Sequence, residues 1–212
     1  VTASSLFDAD LFRRGKEFLR TRDPVLARVM DECGEVRLAP NGYRSHFEAL
    51  AEAIVYQQLS GMAAERIFSR LRSLFPSGEI TPRELAGLPD DVLRGTGLSQ
   101  MKVSYLKDLA VHALQPDNHL ERLHELADNE VEEALVRLRG IGPWSVHMFL
   151  IFRLGRPDVL PDADLGIRKA IRRAYALGDL PKPAHVRRLA DPWRPYATIA
   201  SLYLWRSLEK RG

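Results

Sequence analysis

Leu138-Arg139-Gly140-Ile141-Gly142-Pro143-Trp144 is the stretch on which the reading of this chain turns. It lies between two apolar-periodic segments, Asn129 to Leu138 and Pro143 to Leu154, both of which read as helices. A connection this tight calls for residues that accept positive φ and leave room for a close-approaching group, and glycine meets both demands. Pro143 suits the first position of the following helix. The backbone N–H groups of Gly142, Trp144 and Ser145, with the positive end of the helix dipole, can therefore face one phosphate. Such a contact holds a polyanion without reading its sequence. On Gly-x-Gly alone, an ordinary connection between antiparallel helices is the commoner explanation.

Outward from this turn the helical period continues in both directions, and no alternating run is long enough to predict a strand. Helices are expected at Leu6 to Leu19, Pro24 to Cys33 with Gly34 as a left-handed stop, and Tyr43 to Leu59. Gly61 to Phe75 follows behind Ser60 as N-cap, and Thr81-Pro82 opens another helix. Further helices are expected at Pro89 to Arg94, Ser99 to Leu114, Asp164 to Leu177, Pro183 to Leu189 and Pro192 to Glu209. The fold class is all-α. Leu93-Arg94-Gly95-Thr96-Gly97 echoes the 138–142 turn at four of five positions, as a repeated turn or as a coincidence of two glycine-rich ones.

Composition narrows the function classes. The chain of 212 residues, 45% hydrophobic, can bury a substantial core. Cys33 is its single cysteine, which excludes an internal disulfide framework and a four-cysteine zinc or iron–sulfur site, and suggests a reducing compartment. No apolar run reaches bilayer length, and residues 1–20 lack a signal-peptide layout, so we expect an intracellular, cytoplasmic protein with no membrane contact. The six histidines show no metal-ligand spacing, so no catalytic transition metal is expected. The net charge of +3 is too small to diagnose a nucleic-acid binder, but charge is unevenly spread. Residues 137–173 hold eight Arg and Lys against three acids, whereas residues 115–135 hold seven acids against Arg122 alone. One basic face and one that repels polyanions are expected.

Four segments in order carry a resemblance to a known family: Tyr56-Gln57-Gln58-Leu59-Ser60, the 138–144 turn, Pro161-Asp162-Ala163-Asp164-Leu165-Gly166-Ile167, and Trp193-Arg194-Pro195-Tyr196 leading to Leu204-Trp205. Together they resemble the helix-hairpin-helix, Gly/Pro-rich loop and Asp signature of the DNA glycosylase superfamily, and within it the AlkA-type 3-methyladenine glycosylases, from about Phe47 to the end. The likeness implies two helical lobes, residues 1–46 plus 157–212 and residues 47–156, with a DNA-binding cleft between them that holds Asp164, Trp144 and Trp205. It is similar to a compact form of the family, without the N-terminal α/β domain of some members. The implied partner is double-stranded DNA carrying alkylated bases, and a monomer is expected.

Cleaving an N-glycosidic bond builds positive charge on the sugar, so the chemistry needs a carboxylate near the anomeric carbon. Asp164 stands where the Pro161 loop meets a helix N-terminus, a place that favours negative charge and where Asp is also the commonest kind of cap. The resemblance assigns Asp164 rather than Asp162 as the catalytic residue, leaving Asp162 as loop support; Ala163 departs from members with two adjacent aspartates. Bifunctional members carry a lysine two residues beyond the second hairpin glycine, and here that residue is Trp144, which implies simple hydrolysis without a Schiff base. Excision requires the nucleotide to be rotated out and stacked. Trp144 and Trp205 match the family's pocket tryptophans, core packing being the alternative for each, and Met148 stands where some members have tyrosine. Leu59 is the candidate wedge for the vacated stack, with Gln58 beside it on the opposing strand; Leu59 could equally cap the apolar face of its helix. Arg168 and Arg172, ridged with Lys169 and Arg173, are candidate phosphate contacts or a solvated face. No cofactor is required, and the family's hairpins imply a sodium or potassium ion on the backbone carbonyls of Leu138 and Ile141. The other readings are a non-enzymatic DNA-binding module, a bifunctional glycosylase–lyase for oxidised bases, and a helical interaction protein.

Overall fold

The computed structural model describes residues 5–38 and 45–209. Among these the secondary structure is helical, with no strand, and no helix is long and apolar enough to cross a membrane. The chain divides into two compact units, Val1–Pro40 with Leu150–Gly212, and Asn41–Phe149.

The first unit is built around its last helix. Helices α1 (Ala9–Arg22) and α2 (Pro24–Cys33) meet at Asp23, and α12 (Ala197–Glu209) packs on α2 and on α10 (Leu165–Ala174). From Ala197 to Leu204 every residue of α12 is buried, which is why its sequence shows so weak an apolar stripe. Gly15 lets α1 approach it closely: a Cβ there would stand 2.4 Å from Ile199 Cδ1. Asp23 is a buried hub, with Oδ1 accepting from Val25 N and Leu26 N at 3.0 Å each and Oδ2 accepting from Trp193 Nε1 at 2.7 Å and from the Tyr175 hydroxyl. Burial, and then the bond to Asp23, push the Tyr175 phenol well above its ordinary value.

The second unit wraps α3 (His46–Tyr56), buried from His46 to Val55 except Glu52, with α4 (Gly61–Arg72), α7 (Gln100–Ala113) and α9 (Pro143–Met148) against it. Short helices α5 (Pro82–Gly87) and α6 (Asp90–Gly95) flank α7, and α8 (Asp128–Leu135) precedes the hairpin. A 3₁₀ segment, Leu120–Glu125, lies in the acidic stretch and was not foreseen; its Glu121 carboxylate accepts from His46 N and Phe47 N, satisfying the α3 N-terminus across 75 residues of sequence. Charge patterning reads that glutamate as solvated, because a tertiary cap leaves no local signature.

The unit boundaries fall earlier than 46/47 and 156/157. His46 packs edge-on to Phe149 and bonds His124, which places it in the second unit. Residues 150–156 belong with the N-terminal segment, since Leu6 N donates to Gly155 O at 2.7 Å and a Cβ on Gly155 would meet Ser5. Several elements also differ in extent. The first helix starts at Ala9, because Asp8 caps it by accepting from Asp10 N at 2.8 Å. The expected start at Tyr43 lies outside the described residues. Pro143–Leu154 is α-helical only to Met148, and Phe149–Arg153 winds as π-helix, a change that apolar spacing does not reveal. The segment from Pro192 is broken: a 3₁₀ turn, Asp191–Trp193, precedes an extended Arg194 before Pro195, and α12 begins only at Ala197. Ser60 does precede α4 but makes no side-chain cap bond.

Candidate functional site

In the second unit, the turn before α9 is shaped by two glycines with different tasks. Gly140 has φ +84°, and a Cβ on it would fall 2.2 Å from Tyr105 Cγ, so both backbone and space require glycine. Gly142 is an extended N-cap at φ −106°, and nothing lies within 4 Å of where its Cβ would be. Its missing side chain leaves an open face beside the start of α9. The echo at 93–97 is a coincidence of composition: there the positive φ falls on the last glycine, Gly97, and in 138–142 it falls on the first, Gly140.

Gln57 clasps this turn, donating from Nε2 to Gly140 O at 2.7 Å and to Ser145 Oγ at 2.9 Å. Lys102 holds the other side of the same segment, donating from Nζ to Val55 O at 2.6 Å and Gln57 O at 2.7 Å, and desolvation lowers its pKa from the ordinary lysine value. The turn that follows α3 is thereby tied to the hairpin, with Gln58 left-handed at φ +57° and Leu59 40% exposed. Leu59 is thus not a core residue of its helix. Gln57 through Gln58, Tyr105 and Gly140 to Ser145, Trp144 included, line one concavity of about 480 Å³. Ser145 is 1% exposed, and its Oγ accepts from Gln57 Nε2. Trp144 and Met148 are half-buried. The Leu138 and Ile141 carbonyls are hard oxygen donors, which fits an alkali ion in kind; Leu138 O also accepts from Ile141 N at 3.1 Å. Among the described residues no cluster of His, Cys, Asp and Glu could hold a metal ion.

In the first unit, Asp164 caps α10, with Oδ1 accepting from Ile167 N at 2.8 Å. The same Oδ1 accepts from Trp205 Nε1 at 2.9 Å. Asp164 is therefore a helix cap that also holds the Trp205 indole. The loop before it is braced by Asp162, whose Oδ2 accepts from Arg187 on α11 (Pro183–Ala190). The half-buried indole of Trp205 is stacked by Phe152, ring centroids 5.8 Å apart and planes at 27°. Phe152 went unread in the sequence because it lies in the π-wound segment, where one residue more per turn rotates it off the face that a regular helix predicts. On α10, Arg168 Nε donates to Pro181 O at 2.7 Å and Arg173 Nη1 to Ser207 O at 3.3 Å, so both serve the fold; Lys169 and Arg172 are exposed.

Residues 51–195 match the model of the HhH-GPD superfamily of base excision DNA repair proteins. The chain is 35% identical over 165 residues to DNA-3-methyladenine glycosylase 1 of Schizosaccharomyces pombe, covering 76% of this chain and 72% of that protein. It is 36% identical to the DNA-3-methyladenine glycosylase of Saccharomyces cerevisiae, covering 76% of this chain and 59% of that one. Among solved structures, the S. pombe 3-methyladenine DNA glycosylase Mag1 in complex with abasic DNA superposes with a TM-score of 0.82 at 30% identity, covering 91% of this chain and 95% of that one.

Proposed function

The chain belongs to the HhH-GPD superfamily of base excision DNA repair proteins, and on that premise we propose that it is a monofunctional DNA glycosylase that hydrolyses the N-glycosidic bond of alkylated purines. The observation that carries the reading is the carboxylate of Asp164, held at a helix N-terminus by two N–H donors beside a stacked aromatic pair. In this reaction the C1′–N bond breaks with its electron pair going to the cationic base, whose charge it neutralises. Asp164 stabilises the positive charge that develops on the sugar, and water adds at C1′ with loss of a proton. An electron-poor alkylated base is a good leaving group, so no strong general acid is needed, and no cofactor.

The roles of the other residues follow from the same proposal. Trp144, Trp205 and Met148 are each candidate contacts for the rotated base, an indole adding roughly 1 to 2 kcal/mol of cation–π attraction where desolvated. Leu59, exposed on a turn braced by Gln57 and Lys102, fills the vacated stack, with Gln58 on the opposing strand. Gly140, Gly142 and the N–H groups of Trp144 and Ser145 receive a phosphate, and the open face at Gly142 supports this. An alkali ion on the Leu138 and Ile141 carbonyls would add positive charge at the turn. Trp144 stands in the position of the lyase lysine, so that position offers no amine to attack the sugar.

Methylated duplex DNA incubated with the protein, followed by chromatography of released bases, tests the activity and its substrate range together. The wild-type protein is expected to release methylated purines, Asp164→Asn to release none while still binding abasic-site DNA, and borohydride to trap no covalent adduct. Absence of base release by the wild type, or full release by Asp164→Asn, overturns the proposal in favour of a binding module.

A further inference from the structure

We infer that Trp205 is a positioning residue for Asp164, acting through its indole N–H, and that a side chain at Gly166 would press on this pair. The inference rests on the reading of Asp164 as the catalytic carboxylate. A helix cap alone constrains one bond, since a carboxylate can swing about Cβ–Cγ while still accepting from the cap N–H. Here a second donor arrives from another helix: Ile167 N at 2.8 Å and Trp205 Nε1 at 2.9 Å converge on the same oxygen, Oδ1. Two donors from different directions set the plane of the carboxylate, and with it the direction of Oδ2. Both donors are in place before any cation has formed, so no reorganisation is needed when it does.

The surroundings hold the indole in the pose this requires. Phe152 stacks on its ring at 5.8 Å between centroids. The packing of α12 on α10 brings the pyrrole edge over Gly166, where a Cβ would lie 3.0 Å from Asp164 Oδ1, 3.1 Å from Trp205 Cδ1 and 3.3 Å from Trp205 Nε1. Gly166 has no positive φ, so backbone conformation does not demand glycine there, but a Cβ would displace the carboxylate and the indole by a few tenths of an ångström. A wall for a stacked base needs only an aromatic face, which phenylalanine also offers. The N–H separates the two roles.

The test compares the wild type with Trp205→Phe, Gly166→Ala and Asp164→Asn, measuring single-turnover base release from methylated duplex DNA over a range of enzyme concentrations. Trp205→Phe is expected to lower the maximal rate roughly 10- to 100-fold, the worth of one hydrogen bond to a charged group, with the half-saturating concentration within about twofold of wild type. Gly166→Ala is expected to lower the maximal rate in the same way with the indole still present. A maximal rate within twofold of wild type in Trp205→Phe, or a raised half-saturating concentration at unchanged maximal rate, overturns the inference and leaves Trp205 as a wall. If thermal melting shows Trp205→Phe unfolded, the one-methyl change Gly166→Ala decides, and a wild-type rate there overturns it. A wild-type rate in Trp205→Phe beside an inactive Asp164→Asn sinks this inference alone; an inactive wild type, or a fully active Asp164→Asn, sinks the glycosylase reading and takes this inference with it.

Discussion

At the scale of single residues, Asp164 and Gly140 show how one position can carry a structural and a chemical demand at once. Asn and Asp are about equally good N-caps, whereas Ala costs about 1 kcal/mol. Asp164→Asn should therefore melt within a few tenths of a kcal/mol of wild type, and Asp164→Ala about 1 kcal/mol below it by urea titration, although both lose base release. That pairing isolates the charge from the cap. Gly140→Ala meets two penalties, a positive φ of 84° and a Cβ set against the Tyr105 ring. The variant is expected to lose about 2 to 4 kcal/mol of stability. Gly142→Ala, with open space where its Cβ would be, should fold normally and weaken DNA binding instead, which a melt and a binding titration distinguish.

At the scale of elements, α10 turns a run of like charges into two kinds of residue. Arg168 reaches back to Pro181 O, so its stem and head brace the loop ahead of α11, while Arg172 projects from the exposed side. Arg172→Ala should leave the melt unchanged and reduce the slope of log affinity against log salt by about 1, as expected for one lost phosphate contact. Arg168→Ala should lower stability by about 1 kcal/mol and leave that slope as it is. Equal slopes for the wild type and Arg172→Ala would place Arg172 on a solvated face. Spacing alone draws Arg168 and Arg172 as one ridge, because it cannot report which guanidinium has found a carbonyl.

At the scale of the whole molecule, a buried polar hub in the first unit ties stability to pH. In the first unit Asp23 joins α1, α2, Trp193 and Tyr175, and the phenol of Tyr175 is held protonated by burial and by its bond to Asp23. Its folded pKa lies above the ordinary value near 10, so its contribution is fully present below pH 10 and is lost as pH rises through the folded value. Urea titrations are expected to show stability falling above pH 10, and Tyr175→Phe should flatten that fall. An identical alkaline loss in both would assign it to other groups. The second unit places its own polar links, Gln57 and Lys102, at the hairpin and the turn after α3.

What the linear order of residues determined is whatever depends on local periodicity and on the chemistry of short motifs. The all-α class, the 24–33 helix to the residue, the Thr81-Pro82 start, the glycine turn ahead of Pro143 and the Asp at the head of α10 were all legible, since a 3.6-residue period, a cap and a φ-tolerant glycine act within a few residues of themselves. Only the tertiary structure decided which partners meet from afar. Glu121 capping α3, Gln57 clasping Gly140, Phe152 stacked on Trp205 and the indole N–H anchoring Asp164 each join residues that no local pattern connects, because a hydrogen bond or a ring contact depends on where two helices are packed and not on how far apart their residues stand in the chain.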